Sequence, residues 1–397
     1  MIRILVILLF GAVSAVADPS ITVGENRRIS RDDAPYVEPS VACNSARAGN
    51  CIAVATRFDA SKPVVAVALM STDGGSTWAE TMLATGRVEH AIDAWVTFSP
   101  TGVAYAVFLV IEPGDPRTRI ILFRSSDGGA SWTRRSRIAS EHSFDRPTVI
   151  ARGRDVVIAA EHRNAIAILR SRDDGRTFSA PRVFRPSTLG HNAMNPLWRG
   201  DSVVVPYVDY GEPLASARIA VVDTRDFGRT WGTPRVIADV PRRFSGNAHF
   251  ATTQTGIAGA IASGTADART VSIVASIDDK WREPVRVSSA GSPAFRPAIA
   301  VSSRGDIGAT WIEVEAGCTR LWFSVSQNEG RTFSKPAPVS EDLSCGNQPA
   351  NRSAYERWEH GGDYYGLAAD GETFLAIWPD ARGGTFQLYA ATITVTP

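Results

Sequence analysis

Polar and charged residues recur where apolar segments begin along this chain, and their types suit acid–base and anion-binding chemistry. A carboxylate can take up or release a proton, and a tyrosine can act as a nucleophile beside one. An arginine presents a planar fork of donors that matches a carboxylate ligand. We therefore predict one polar ring, which comprises Glu38, Asp93, Asp145, Arg146, Asn195, His249, Arg296, Asp363 and Tyr364.

The same ring has a structural interpretation, because strand starts are commonly polar and an Asp or Arg there can cap a loop or form an ion pair. No metal and no other cofactor is expected, since the six histidines are scattered and no CxxC motif occurs. The formal net charge of +1 gives no general field that would attract a nucleic acid or an anionic membrane.

An eight-residue phrase occurs five times and indicates the elements that must position the ring. It starts with Ser or Thr, has Asp or Asn third and Gly fifth, and ends on Trp or Phe. The copies are Ser71–Trp78, Ser125–Trp132, Ser171–Phe178, Thr224–Trp231 and Ser326–Phe333. A shortened sixth copy is predicted at Ser276–Trp281. A catalytic site is normally used once per chain, so a phrase repeated about every 50 residues predicts a structural turn in a repeat architecture.

Each repeat contains four short apolar segments separated by turn signals. Four such strands form one antiparallel blade, and blades arranged radially form a β-propeller. Along the chain, six repeats carry a full or shortened phrase, a last repeat has three strands, and a lone strand precedes the first repeat. We therefore predict an all-β fold of seven blades, with six as the alternative. Residues 18–397 would form a single domain, closed by the N-terminal strand.

The repeated phrase resembles the Asp-box, or bacterial neuraminidase repeat, of sialidase-like β-propellers. The resemblance extends from Ser71 to Phe333. It implies that the phrases lie at turns between the third and fourth strands of each blade, away from the catalytic face. The ring would then lie at the mouth of the central channel, where the inner strands begin.

The resemblance also implies a reaction. Sialidases hold the substrate carboxylate with three arginines and use a tyrosine nucleophile paired with a glutamate, together with an acidic aspartate. Matching residue types here are Arg146 and Arg296 with Arg352 or Arg357, Tyr364 or Tyr365, Glu38 or Glu161, and Asp93 or Asp145. The resemblance thus implies Tyr364, Glu38, Asp93 and Asp145 as catalytic residues, with Arg146, Arg296, Asn195 and His249 as substrate-binding residues. Because sialidase domains have six blades, two alternatives to a sialidase-like exo-glycosidase stay open. They are a non-catalytic propeller that binds glycans or proteins, and a polysaccharide lyase using His191, His249 or Tyr207.

Features outside the repeats predict an exported protein. Residues 1–17 combine an arginine, an apolar run and a small-residue cleavage pattern ending at Ala17, which predicts a signal peptide and a secreted or periplasmic location. Four cysteines in such a chain predict the disulfides Cys43–Cys51 and Cys318–Cys345. The expected partner is a glycan or another small anionic ligand bound by a monomer, with no nucleic acid and no membrane span.

Overall fold

The computed structural model describes residues 18–58, 64–86, 90–185, 191–210, 216–241 and 248–396. The predicted signal peptide, residues 1–17, lies outside the described residues. Within them, seven antiparallel sheets follow one another along the chain, which confirms the predicted seven-bladed propeller.

Two short strands come before the first blade: β1 (Ser20–Val23) and β2 (Arg27–Arg28). Blade 1 contains β3 (Tyr36–Cys43), β4 (Cys51–Arg57), β5 (Val65–Ser71) and β6 (Ala79–Met82). Blade 2 contains β7 (His90–Phe98), β8 (Ala104–Glu112), β9 (Asp115–Ser125) and β10 (Thr133–Ile138). Blade 3 contains β11 (Phe144–Arg152), β12 (Asp155–His162), β13 (Ala165–Ser171) and β14 (Arg182–Phe184).

Blade 4 has an inner strand in two pieces and contains β15 (His191–Ala193), β16 (Leu197–Arg199), β17 (Ser202–Asp209), β18 (Ser216–Thr224) and β19 (Arg235–Pro241). Blade 5 contains β20 (Ala248–Thr252), β21 (Ile257–Ser263), β22 (Thr270–Ile277), β23 (Lys280–Trp281) and β24 (Val285–Arg286). Blade 6 contains β25 (Ala294–Val301), β26 (Ile307–Glu315), β27 (Cys318–Ser326) and β28 (Ala337–Pro338). Blade 7 contains β29 (Gly366–Asp370), β30 (Thr373–Asp380) and β31 (Gln387–Thr396).

The segment between blades 6 and 7 carries the α-helix of the described chain, α1 (Arg352–Arg357). Two 3₁₀ turns flank it, Pro349–Asn351 and Glu359–Gly361, and a third lies in blade 5 at Ala266–Ala268. This segment leads directly into the start of β29, so it lies beside the predicted polar ring.

The start of the chain completes the last blade. Strand β1 pairs antiparallel with β31, with Ile21 opposite Val395, and β2 pairs with the same strand farther along. Without β1 the outer edge of β31 would present unpaired backbone groups. The predicted closure by the N-terminal strand is therefore confirmed.

The core lies between neighbouring blades. The strands are rich in Val, Ile and Ala, whose side chains are buried along β4, β12, β17 and β26. Large rings complete the packing, as where Phe323 of blade 6 meets Phe374 of blade 7 with ring centroids 5.3 Å apart. Both predicted disulfides are present, one joining Cys43 to Cys51 within blade 1 and the other joining Cys318 to Cys345.

The five repeated phrases form one kind of turn, always between the third and fourth strands of a blade. In the first copy, Ser71 Oγ accepts a hydrogen bond from Gly75 N (2.8 Å) and donates one to Asp73 Oδ1 (2.8 Å). The backbone and hydroxyl of Thr77 both donate to the Asp73 carboxylate. Gly75 has φ +92°, and a Cβ there would lie 2.8 Å from Leu375 Cδ1 of blade 7. The turn therefore joins blades, which supports the structural interpretation.

The shortened sixth copy differs from the other five. Asp278 and Asp279 both have positive φ, 48° and 66°, and lie between the paired strands β22 and β23. Two central residues with positive φ are the signature of a two-residue type I′ hairpin. Blade 5 therefore replaces the eight-residue turn with a tight hairpin.

Candidate functional site at the channel mouth

Four inner strands carry the same irregularity at predicted ring residues. Glu38, Asp93, Arg146 and Arg296 all have φ between 49° and 55°. The strand register shifts at each, between Val37 and Ser40, Ile92 and Trp95, Asp145 and Thr148, and Phe295 and Ala298. Positive φ is uncommon outside glycine, and such strained bulges concentrate at functional sites.

The local sequence explains part of this irregularity. In three of the four strands the residue after the positive-φ position is a proline: Pro39, Pro147 and Pro297. Proline has no N–H to donate to the ladder, so a strand that contains it is biased toward a bulge. The repeat thus presents charged side chains from equivalent places in four blades.

Two of these side chains meet on one carboxylate. Arg146 Nη2 lies 2.9 Å from Asp363 Oδ2, and Arg296 Nη2 lies 3.3 Å from Asp363 Oδ1. Arg296 Nε also donates to the carbonyl oxygen of Gly362 at 2.5 Å. Arginines of blades 3 and 6 therefore hold the aspartate that immediately precedes blade 7.

Glu38 is buried beside this ion-pair cluster. Its Oε1 accepts a hydrogen bond from Asp363 N at 3.3 Å, and Oε2 has no hydrogen-bond partner among the described residues. Burial, reinforced by the charge of Asp363, raises the pKa of Glu38 to about 7. Burial also raises the pKa of Asp93 well above its usual value, and the charges of Glu38 and Asp145 add to that shift.

Glu161 is a further carboxyl group whose pKa is raised. Burial and then the charge of Asp145 raise it to about 7. Glu161 and the exposed Asp145 line a second cavity, and Arg146, which follows Asp145 in the chain, lines the central one. Glu38 and Asp93 line neither of these two cavities.

Tyr364 lines the central cavity, with its ring packed edge-on against Trp95 at a centroid distance of 6.3 Å. Burial, followed by the charge of Asp93, raises the pKa of Tyr364 well above 10, whereas the charge of Arg146 acts in the opposite direction. The alternative tyrosine, Tyr365, donates its hydroxyl to the carbonyl oxygen of His360 at 2.7 Å. Tyr364 is therefore the better placed of the two for chemistry.

His249 and Asn195 both line the central cavity, and their polar atoms contact backbone. His249 Nδ1 accepts a hydrogen bond from Ile299 N at 3.2 Å, and burial lowers the pKa of this imidazole to about 4. It is therefore neutral, with its proton on Nε2. The Asn195 amide bonds both the oxygen (2.7 Å) and the nitrogen (2.9 Å) of Phe250, so it joins blades 4 and 5.

The central cavity lies on the propeller axis, because inner-strand residues of blades 2 to 6 and the segment that begins blade 7 surround it. The space open to a water molecule is ≈ 40 Å³, room for about three waters. Among the described residues, no group of His, Cys, Asp and Glu has a geometry that could hold a metal ion. No helix in the described part of the chain is long and apolar enough to cross a membrane.

Three further candidates from the sequence, Arg352, Arg357 and Tyr207, do not line the central cavity. Arg352 is exposed and pairs with Glu356 at 3.4 Å. Arg357 covers the Trp358 ring at 4.5 Å and lies near enough to Glu38 for that charge to act on its pKa. Tyr207 is buried in blade 4 against Phe184. Of the four candidate arginines, Arg146 and Arg296 are therefore the two that contact one carboxylate, and we call this pair the arginine clamp.

Sequence reasoning did not identify Arg269 as a neighbour of the clamp. Its pKa is lowered by burial and then by the positive charge of Arg296, while Asp363 raises it. Arg269 also lies over the Phe295 ring, 5.3 Å from its centroid. It lies in the loop before β22, outside the inner-strand starts, so no sequence signal indicated it.

Solved structures share this fold at low sequence identity. A mutant α-L-arabinofuranosidase of Fusarium graminearum, in complex with an iminosugar inhibitor, has a TM-score of 0.55 and 11% identity over 94% of this chain and 97% of its own. The α-L-arabinanase of Penicillium chrysogenum, complexed with arabinobiose, has a TM-score of 0.51 and 15% identity over 76% and 92%. A Hadza microbial sialidase has a TM-score of 0.49 and 15% identity over 84% and 74%.

No protein-family model matches the chain, and no curated protein matches its sequence. At 11–15% identity, the likeness to solved structures shows a shared propeller fold.

Proposed function

We propose that this protein is a glycoside hydrolase that cleaves a glycan at the mouth of its propeller channel. The observation that carries the proposal is the proximity of Tyr364, which lines the central cavity, to Glu38, Asp93 and Arg146, which have strained inner-strand backbones. Carboxyl groups with raised pKa beside a concave site are typical of acid–base catalysis. The relatives in fold include an arabinanase complexed with arabinobiose, which supports a glycan as the ligand.

Glycoside hydrolysis needs a proton donor for the leaving oxygen and a group that attacks the sugar or activates water. Glu38 is the candidate donor, because burial raises its pKa to about 7, and its carboxyl group therefore keeps its proton at pH values below that. Tyr364 is the candidate nucleophile. Asp93 lies near enough to raise its pKa and could accept its proton, while Glu38 keeps its own proton for the leaving oxygen, and the charge of Arg146 would stabilise the phenolate.

Asp145 is the remaining candidate, at the second cavity of ≈ 400 Å³, which Glu161 also lines. A cavity of that size can hold a sugar residue of a longer glycan. The two disulfides fit a protein that works outside the cytoplasm, as the predicted signal peptide requires.

A non-catalytic glycan-binding propeller is the second candidate, and one observation favours it. Ion pairs fill the mouth, and ≈ 40 Å³ of open space is far below the 300 Å³ or more of a typical small-molecule pocket. A hydrolase would have to widen this cavity when it binds substrate.

The test is turnover of a panel of aryl glycosides that includes α-L-arabinofuranosides and sialosides, together with binding to a glycan array. We expect Glu38→Gln and Tyr364→Phe each to lower turnover about 100-fold or more while the protein still folds. Arg331→Ala, at an exposed ion pair far from the mouth, is the matched control and should keep full activity. Glycan binding without turnover by the wild type would favour the second candidate, and neither binding nor turnover would exclude both.

A further inference from the structure

We infer that Asp363 occupies the arginine clamp in place of a ligand carboxylate and so restricts the site to neutral glycans. This inference rests on the proposed function, since it names the substrate class of that same site. Asp363 is thus a specificity-determining residue.

The geometry is that of a bound carboxylate. Each oxygen of Asp363 has its own arginine, Arg146 at 2.9 Å and Arg296 at 3.3 Å, and the two guanidinium groups come from separate blades. Paired contacts of this kind are what arginines offer an acidic ligand. A sugar carboxylate could therefore bind these two arginines only by displacing the Asp363 carboxylate.

The backbone holds Asp363 in this position. Its N–H donates to Glu38 Oε1 at 3.3 Å, and the preceding carbonyl accepts from Arg296 Nε at 2.5 Å. Gly362 has φ +102°, and a Cβ there would overlap Glu38 Cγ, so the chain passes directly over the buried glutamate. Moving the Asp363 backbone away from the two arginines would break both contacts.

The exposure of these charged side chains also disfavours an anionic ligand. The Asp363 carboxylate is 34% exposed and lines the cavity, whereas Arg296 is only 8% exposed behind it. Arg146 lines the cavity too but is 20% exposed, so an entering carboxylate would find the Asp363 charge more accessible than either arginine, and like charges in a site of low dielectric repel strongly. A neutral sugar hydroxyl can instead donate a hydrogen bond to the exposed part of Asp363.

The test is isothermal titration calorimetry with sodium acetate, D-glucuronate and D-glucose, on the wild type and on Asp363→Ala and Asp363→Asn. We expect Asp363→Ala to bind acetate and glucuronate at least about tenfold more tightly than the wild type, because the freed arginines accept an external carboxylate. Asp363→Asn should bind them less tightly than Asp363→Ala, since its amide still fills the space.

Asp306→Ala is the matched control, because the Asp306 carboxylate is likewise held by an arginine, Arg304 at 2.8 Å, but has no second arginine partner among the described residues. It should gain little acetate affinity. Glucuronate binding by the wild type as tight as that of Asp363→Ala would overturn the inference, as would a folded Asp363→Ala that gains no carboxylate affinity. If Asp363→Ala does not fold, the comparison uses Asp363→Asn and the wild type. Tighter binding of glucose than of glucuronate by the wild type would support the inference, and tighter binding of glucuronate would overturn it.

Titration requires no turnover, so the two proposals fail separately. Hydrolysis of neutral glycosides without any gain of carboxylate binding in Asp363→Ala overturns the inference alone. A gain of carboxylate binding in Asp363→Ala, in a protein that neither cleaves nor binds a glycan, overturns the proposed function. It does not overturn the claim that Asp363 occupies the two arginines.

Discussion

Glu38 of blade 1 accepts a hydrogen bond from the backbone N–H of Asp363, at the start of blade 7, across 325 positions of the chain. The two residues meet because the ring brings its first and last blades side by side, with β1 paired to β31. The candidate proton donor and the residue that fills the arginine clamp are therefore joined across the closure of the fold. Stability and site geometry are linked at this contact.

Replacing Glu38 with Gln should make the protein more stable at high pH. The folded state raises the pKa of Glu38 from 4.5 to about 7, so it keeps a proton that the unfolded chain has lost, and stability falls as pH rises through that window. Glu38→Gln removes this loss. We expect a gain in unfolding free energy of about 3 kcal/mol at pH 8 and little change at pH 4, measured by urea unfolding.

The control is Glu356→Gln, at an exposed glutamate of α1, which should stay within about 0.5 kcal/mol of the wild type at every pH. Parallel stability profiles for wild type and Glu38→Gln between pH 4 and pH 8 would contradict the expected proton linkage.

Arg296→Ala should destabilise the fold. The side chain is 8% exposed and serves both Asp363 and the carbonyl oxygen of Gly362. Removing it leaves buried polar groups without their partner, at a cost of about 3 kcal/mol. Arg331→Ala, at an exposed pair with Glu329, should cost under about 0.5 kcal/mol. Urea unfolding measures both, and equal losses would show that the clamp contributes no more than a surface ion pair.

Deleting residues 18–28 should lower stability by several kcal/mol, because it removes β1 and β2 and exposes the outer edge of β31. Thermal unfolding and size-exclusion chromatography against the 18–397 chain would report the loss and any association through that edge. Glu25→Ala, between the two strands, is the control. A truncated protein with an unchanged melting temperature would refute closure by this segment.

Asp127→Ala should cost stability without altering the channel mouth. The carboxylate accepts hydrogen bonds from the hydroxyl of Ser125 and from the backbone and hydroxyl of Ser131, so its loss should cost about 1–3 kcal/mol. Asp127→Asn is the control, since Asn328 fills the same place in the last copy and bonds the equivalent residues. Ligand affinity of the folded fraction should match the wild type, and a selective loss of affinity would assign the turn a functional role.

The two disulfides should differ in their contribution. Cys318–Cys345 closes 27 residues and Cys43–Cys51 closes 8, so the chain-entropy model gives about 3.5 and about 2.5 kcal/mol. Unfolding of the paired Cys→Ser variants tests this order. The larger effect for Cys43–Cys51 would mean that local strain or residual structure dominates over loop length.

The sequence was enough to predict the propeller, its seven blades, the closing strand and both disulfides. Local or repeated sequence patterns indicate these features: apolar segments separated by turn signals, a turn phrase at a near-constant period, and two pairs of cysteines, one flanking a short loop and the other flanking the last phrase. The phrase at Ser276–Trp281 is the exception. Its shortened turn became a type I′ hairpin, because two residues fit that geometry and leave no room for the longer network.

The inner-strand positions of Arg146 and Arg296 could also be located in the sequence, but their meeting could not. They belong to blades 3 and 6, and only the closed ring brings both to Asp363 across the axis. Arginines at these positions predicted an anionic ligand, whereas the tertiary structure shows that a carboxylate of the chain itself already contacts both guanidinium groups. The alignment of residues around a propeller axis depends on the rotation of every blade. Local sequence patterns determine each blade, and the packing between blades decides which side chains share the channel mouth.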